Sequence, residues 1–179
     1  MNTEIEAKFK IDSPDKIAKR LDELGAEFLE EQLQTDLYFD DADKTLTKTD
    51  RCLRLRRQLV GQTERIFVTY KGARQKSEFK KRQEIEVEIT DADSMENLLS
   101  ALAYGKILVF EKRRRIWRVD QCSIALDELP LLGDFVEIEG PDNETIAGVQ
   151  RNLELSDSPH IKESYADLMA EKLRQQSCE

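Results

Sequence analysis

Glu4-Ile5-Glu6-Ala7-Lys8-Phe9-Lys10-Ile11 alternates strictly between charged and apolar residues. A β-strand turns successive side chains to opposite faces. Glu4, Glu6, Lys8 and Lys10 therefore share one face, and Ile5, Ala7, Phe9 and Ile11 the other. Such alternation predicts a strand with its apolar face in a core. Ser13-Pro14 comes next, an N-cap residue followed by proline at the first helical position. Ile17, Leu21 and Leu24 then recur at helical spacing until Gly25 supplies a C-terminal stop.

Downstream, the same two periods take turns. A short strand is predicted near 36–40, then strands over 51–60 and 65–71, with Gly61-Gln62 as the turn between the last two. Residues 73–81 are polar, basic and aperiodic, which reads as a mobile, solvated hairpin loop. Residues 82–89 alternate again. Asp93 or a neighbour is the expected cap of a helix carrying Met95, Leu98, Leu99 and Leu102. Strands resume over 108–119, 122–126 and 134–139. Ile146, Val149 and Leu153, then Tyr165, Leu168, Met169 and Leu173, mark two closing helices. Runs of consecutive strands predict an antiparallel α+β domain rather than a parallel doubly wound sheet. With no linker or low-complexity stretch, residues 1–179 form one domain.

A net charge of -9 argues against a general nucleic-acid binder or a protein of acidic membrane surfaces, since both need a positive face. Cys52, Cys122 and Cys178 are scattered and odd in number, a poor disulfide framework and a poor zinc site. No apolar run is long enough to cross a membrane, and charge arrives by Glu4, unlike a signal peptide. The expectation is a soluble, cytoplasmic protein.

The polar strand faces are sorted by sign. Arg54 and Arg56 share a face, as do Lys112 and Arg114, while Glu84, Glu86 and Glu88 follow Arg82, and Glu137 pairs with Glu139. Like charges on alternate residues repel, more strongly in a dry site. A cation between the carboxylates or a polyanion between the bases would offset that. The resulting picture is a barrel with polar side chains inward, apolar side chains outward, and amphipathic helices around it. Eight strands leave room for one small ligand. Arginine forks suit phosphate oxygens, and clustered glutamates suit Mg²⁺ or Mn²⁺.

These residues also carry a family resemblance. Glu4-Ile5-Glu6-Ala7-Lys8 resembles the E-x-E-x-K signature of CYTH proteins, the triphosphate tunnel metalloenzymes. The likeness continues through Asp36-Leu37-Tyr38-Phe39-Asp40, Leu53-Arg54-Leu55-Arg56, Thr69-Tyr70-Lys71-Gly72, Arg82-Gln83-Glu84-Ile85-Glu86 and Glu111-Lys112-Arg113-Arg114. It ends with Asp127, with Leu132-Gly133-Asp134-Phe135-Val136-Glu137-Ile138-Glu139 and with Ser164-Tyr165. The resemblance implies an eight-stranded antiparallel β-barrel tunnel. It implies Glu4, Glu6 and Glu139 as metal ligands, with Glu137 and Asp127 close by or acting through water. Arg54, Arg56, Lys71, Lys112 and Arg114 would hold a triphosphate, joined by Tyr38 and Arg82. Lys8 would lie near the reacting phosphate with Glu4 and Glu6, while Glu84 and Glu86 would orient bases or hold a second metal.

Two reactions use such a site: metal-dependent hydrolysis of a triphosphate, and the class IV adenylyl cyclase reaction, ATP to cyclic AMP and pyrophosphate. The resemblance implies that cyclases of the family do not always keep both members of each pair, so the retention of Arg54 with Arg56 and of Glu137 with Glu139 favours hydrolysis. A non-catalytic nucleotide or polyphosphate binder would not need Glu4, Glu6, Glu137 and Glu139 together. The expected partner is a small-molecule triphosphate, the chain being a monomer or homodimer. Arg56→Ala is expected to weaken triphosphate binding far more than it lowers the melting temperature. The 73–81 loop is either a plain solvated turn or a lid over one tunnel mouth. His160 is expected at the surface, Trp117 in a core, and Arg113 and Arg115 on the outer face, reaching solvent or helix carboxylates.

Overall fold

The computed structural model describes residues 2–176. Its strands are β1 (Asn2–Ile11), β2 (Glu27–Asp40), β3 (Cys52–Val60), β4 (Thr63–Lys71), β5 (Lys80–Ile89), β6 (Gly105–Val119), β7 (Cys122–Leu129) and β8 (Gly133–Glu139). The helices are α1 (Pro14–Glu23), α2 (Thr45–Lys48), α3 (Ala92–Ala101), α4 (Asn143–Asn152) and α5 (Tyr165–Gln176). The strands close into an antiparallel barrel in the order β1-β5-β4-β3-β2-β6-β7-β8. The expected eight-stranded α+β tunnel is what forms.

Alternation turns the usual barrel inside out. Ala7 and Phe9 of β1, Ile124 and Leu126 of β7, and Val136 and Ile138 of β8 point outward. They bury themselves under Ile17 and Leu21 of α1 and Ile146 and Val149 of α4. A second outer core sets Leu37, Phe39, Leu55 and Ile66 against Ala92 and Leu99 of α3. At one end the inward-facing residues become apolar. Phe110, Leu129 and Phe135 there pack on Tyr165 and Met169, which seats α5 over that end.

Several local expectations are corrected. β2 runs fourteen residues rather than five, because its polar first half pairs along nearly its whole length with β6, with bulges near Phe28/Glu30 and Tyr38/Phe39. β6 begins at Gly105, and α3 is capped by Asp91, which accepts from the Ser94 amide at 3.0 Å, not by Asp93. The short α2 has no hydrophobic period; Asp40 builds it by accepting from the amides of Leu46 and Thr47 at 3.0 and 2.8 Å.

Nor is the 73–81 segment a solvated turn. Phe79 is buried in the main core, Lys80 already belongs to β5, and the Gln75 amide donates to the Lys81 carbonyl. Arg74 ties the segment to the Asp50 carboxylate and the Lys162 carbonyl. His160 is half-buried, edge-on to Phe79 with centroids 5.5 Å apart and 5.9 Å from Phe9. Trp117 is core, as expected. Arg113 pairs with Glu31 of β2, and Arg115 with Glu128 of β7 and Asp15 of α1. Cys52 and Cys122 are free thiols, while Cys178 lies outside the described residues. Among the described residues no helix is long and apolar enough to cross a membrane.

Candidate functional site

Register decides which charges meet. Glu6 lies opposite Lys80 on β5 and Glu139 on β8, and Lys8 lies opposite Glu137. Asp36 faces Arg56, Tyr38 faces Arg54, and Lys71 faces Glu84. Gln32 and Gln34 of β2 face Arg114 and Lys112, and Arg114 in turn faces Asp127. Strands of one parity thus deliver most of the inward charges to a common cavity of about 1290 Å³. It is lined by Glu4, Glu6, Lys8, Tyr38, Arg54, Arg56, Lys71, Arg82, Glu84, Glu86, Lys112, Arg114, Glu137 and Glu139. All the expected site residues except Asp127 reach it.

Most of these charges neutralise one another. Arg56 forms a bidentate pair with buried Asp36 at 2.6 and 2.8 Å. Burial alone would raise the Asp36 pKa, but the Arg56 and Arg54 guanidinium groups hold it far below the ordinary carboxylate range. Lys71 bridges Glu4 at 2.7 Å and Glu84 at 2.9 Å. Lys80 pairs with Glu6, and Arg114 with Glu137. Lys8 donates to the Glu163 carbonyl at 2.9 Å, lies 3.4 Å from Glu137, and sits over the Tyr165 ring. Burial depresses the Lys8 pKa, against the pull of Glu137. Lys112 is pushed down to about 7 by burial and the neighbouring Arg114 charge, although Asp127 is 3.2 Å away.

Asp127, expected close to the metal or acting on it through water, is turned to donors rather than to the other carboxylates. It is fully enclosed, and its two oxygens accept from Arg114 at 2.6 and 2.5 Å, from Lys112, and from the Tyr165 hydroxyl at 2.8 Å. It thus lies behind the bases and holds Arg114, Lys112 and Tyr165 together. Glu86 is an exposed ion-pair partner, 3.6 Å from Arg54 and accepting from Thr69 at 2.9 Å. Glu88 pairs with Arg65, both about half exposed, away from the interior. Asp36, Lys80 and Tyr165 were not among the expected site residues. Asp36 and Lys80 were findable by parity, two positions before Tyr38 and Arg82. Tyr165 comes from a helix, whose inward reach no strand period reveals.

Two observations test which ligands fit. Nε of Arg54 and Nε of Arg82 are buried without a hydrogen-bond partner, as are Arg115 Nε and Trp117 Nε1 outside the tunnel. A buried guanidinium N–H with nothing to donate to calls for an acceptor, and phosphate oxygens supply it. For a cation, Glu139 is the telling residue. Partial burial and the nearby Glu4 and Glu6 charges push it up to about 7. Glu4, Glu6, Glu137 and Glu139 also line a hollow of about 40 Å³ with Ser123, Ala125, Ile116 and Arg114, the last paired with Glu137. Mutually repelling carboxylates around a hollow of that size fit a hard divalent ion. Among the described residues no three acidic, histidine or cysteine side chains are gathered as a finished metal site. Glu4 and Glu6 are instead turned to Lys71 and Lys80.

A closed barrel with apolar walls outward and a charge-sorted tunnel inward defines a small class of proteins, the triphosphate tunnels. Residues 2–165 match the CYTH domain, and this chain belongs to the CYTH family. It is 30% identical over 174 residues to "Putative adenylate cyclase MJ0240" of Methanocaldococcus jannaschii, covering 92% of this chain and 97% of that protein. Among solved structures it resembles the PH1819 protein of Pyrococcus horikoshii OT3, with a TM-score of 0.84 and 32% identity over 94% of this chain and 99% of that one. HpAC1 of Hippeastrum, described as having a dominant triphosphatase activity, has a TM-score of 0.72 over 96% of both chains. At 19% identity it shares the fold alone.

Proposed function

We propose that this chain hydrolyses a triphosphate held in the tunnel, with Mg²⁺ or Mn²⁺ as cofactor. The observation that carries the reading is the pair of buried, acceptorless arginine Nε groups in a cavity that also gathers Glu4, Glu6 and Glu139. Arg54, Arg56, Arg82, Lys71, Lys112 and Arg114 surround the phosphate chain and orient it. Glu4, Glu6 and Glu139, with Glu137 beside them, would hold the cation. When bound, the cation would neutralise charge on the phosphate oxygens. Lys8 Nζ, fixed by the Glu163 carbonyl and the Tyr165 ring, is placed to donate to an oxygen of the transferring phosphoryl group. Asp127 keeps Arg114 and Lys112 aimed inward.

A second reading is the adenylyl cyclase reaction. Phe39, Leu46, Leu108 and Ala170 line part of the same cavity, which has room for a nucleoside as well as its phosphates. The Methanocaldococcus relative carries a cyclase name. Product analysis separates the two. Purified protein is incubated with Mg²⁺ or Mn²⁺ and, separately, tripolyphosphate, ATP and thiamine triphosphate. Orthophosphate release supports hydrolysis, and relative rates identify the substrate. Cyclic AMP with pyrophosphate replaces hydrolysis with cyclisation, and no product from any substrate leaves a binding protein.

A further inference from the structure

We propose that Lys80 is a resident counter-ion of the cation site. It neutralises Glu6 while the tunnel holds no cation, yields Glu6 to a divalent cation, and then turns to the phosphates, so that cation and triphosphate bind cooperatively. The inference rests on the proposed function and adds a residue and a coupling to it.

Lys80 and Glu6 are cross-strand partners, with side chains only 7% and 8% exposed, in direct ion contact and both lining the cavity. A buried pair that loses one member leaves an uncompensated charge. Glu6 thus cannot shed Lys80 unless another cation arrives, and Lys80 cannot leave Glu6 without another anion. A cation alone would strand the ammonium, and a polyanion alone would strand the carboxylate. Together they leave neither Glu6 nor Lys80 without a partner.

Lys80 suits this exchange better than its neighbours. Lys71 bridges Glu4 and Glu84, so it remains paired when one of them leaves. Arg56 is locked to Asp36, away from the carboxylate cluster, and Arg114, which also pairs with Glu137, keeps the enclosed Asp127 when Glu137 leaves. Lys80 has Glu6 as its one ion pair among the described residues, and its charge is close enough to depress Lys8. Released, it stands beside the lysine nearest the reacting phosphoryl group. Its backbone is fixed, because Phe79 is buried in the main core and Lys81 accepts from Gln75. Only the side chain has to move.

The test measures Mn²⁺ affinity with and without an imido-bridged, non-hydrolysable tripolyphosphate analogue, corrected for cation held by free analogue. The proteins are wild type, Lys80→Met and Lys80→Arg. In wild type the analogue should tighten Mn²⁺ binding about tenfold or more, within the ordinary range of coupling between sites. Lys80→Met removes the competitor, so Mn²⁺ alone should bind about five- to tenfold tighter and the analogue add about threefold or less. Lys80→Arg holds Glu6 with a stronger fork, so Mn²⁺ alone should bind about threefold more weakly. The Lys80→Met melting temperature should be low without cation and return to the wild-type value with saturating Mn²⁺.

Unchanged coupling in both variants, or weaker Mn²⁺ binding by Lys80→Met, overturns the inference while leaving the triphosphate reading intact. Should Lys80→Met fail to fold even with Mn²⁺, an Lys80→Arg affinity equal to wild type overturns it. Wild type that binds neither Mn²⁺ nor the analogue overturns both.

Discussion

Arg56→Ala should unfold the protein more readily than it looks from the sequence, because Arg56, proposed to bind the triphosphate, also holds a buried ion pair with Asp36. Its side chain is 10% exposed and that of Asp36 only 2%, and two N–H···O contacts of 2.6 and 2.8 Å join them. Removing one member of a buried ion pair costs about 3–5 kcal/mol, chiefly through the charge left behind. Arg54 also acts on Asp36 and partly compensates, which places the loss near the lower end, about 3 kcal/mol. In a chain of this size that lowers the melting temperature by on the order of 10 °C.

The assay is urea denaturation and a circular-dichroism melt of wild type, Arg56→Ala and the double variant Asp36→Asn/Arg56→Ala. Asp36 has a folded pKa below its usual 3.8, so its pairing stabilises above that pH and is lost as pH falls through the folded value. The deficit of Arg56→Ala should therefore be full at pH 7 and shrink below about pH 4. The double variant, having no orphan charge, should regain at least half of the loss. A single-variant deficit under about 1 kcal/mol, or a double variant no better than the single, would refute the argument. This puts a size on the stability side of the expectation that Arg56→Ala weakens triphosphate binding far more than it lowers the melting temperature, and it means that affinity must be measured well below the variant's melting point.

Lys112, pushed down to about 7, binds fewer protons in the folded than in the unfolded chain between pH 7 and 10.5, so its contribution to stability rises with pH across that window. A bound polyanion should reverse the depression. Tripolyphosphate binding at pH 8 should then take up protons, seen calorimetrically as a heat that depends on the buffer's ionisation enthalpy, and buffer-independent heats would contradict it. Glu139, pushed up to about 7 from 4.5, erodes stability as pH rises through that interval. Glu139→Gln should therefore melt higher than wild type at pH 8 without cation and gain less from Mn²⁺; a lower cation-free melting temperature would count against the crowded-carboxylate account. Tyr165→Phe deletes the 2.8 Å donation to Asp127 but keeps the ring beneath Lys8 and Lys112. About 1 kcal/mol should be lost in urea denaturation.

The barrel was legible because each strand carries its own period-2 signal, and because charges sorted by sign make sense only if the polar faces converge. β1 and β8 were readable almost residue by residue. The first half of β2 was not, since Glu30, Glu31, Gln32 and Gln34 mix both faces in polar residues and hide the period. Lys80 was missed for a related reason. It falls in the stretch 73–81 that reads as an aperiodic loop, so the parity that turns Lys80 inward with Arg82 is not carried back to it, and the pairing of Glu6 with Lys80 shows that it should be. His160 defied composition altogether: its place between Phe9 and Phe79 depends on a loop crossing β1, where the Ile161 amide donates to the Lys8 carbonyl at 2.8 Å. Site roles were the least legible. Sequence places Asp127 among carboxylates, whereas geometry surrounds it with donors.

The arrangement explains how a tunnel so charged can hold its shape while its charges change partners. Apolar burial, the main stabilising term in a folded domain, lies outside the barrel, in Phe9, Leu21, Ile124, Leu126, Val136, Ile138 and Ile146. The interior adds cross-strand ion pairs: Asp36 with Arg56 joins β2 to β3, Asp127 with Arg114 joins β7 to β6, and Glu6 with Lys80 joins β1 to β5. The first two stitch the wall around the bases and are closed to exchange, because their carboxylates are enclosed. The third lies beside crowded glutamates, where an incoming cation lowers the repulsion rather than adding to it. The pairs therefore divide by position: those backed by the wall set the aim of the arginines, and Lys80 with Glu6, beside the carboxylate cluster as Lys71 with Glu4 and Arg114 with Glu137 also are, is the pair proposed to be traded.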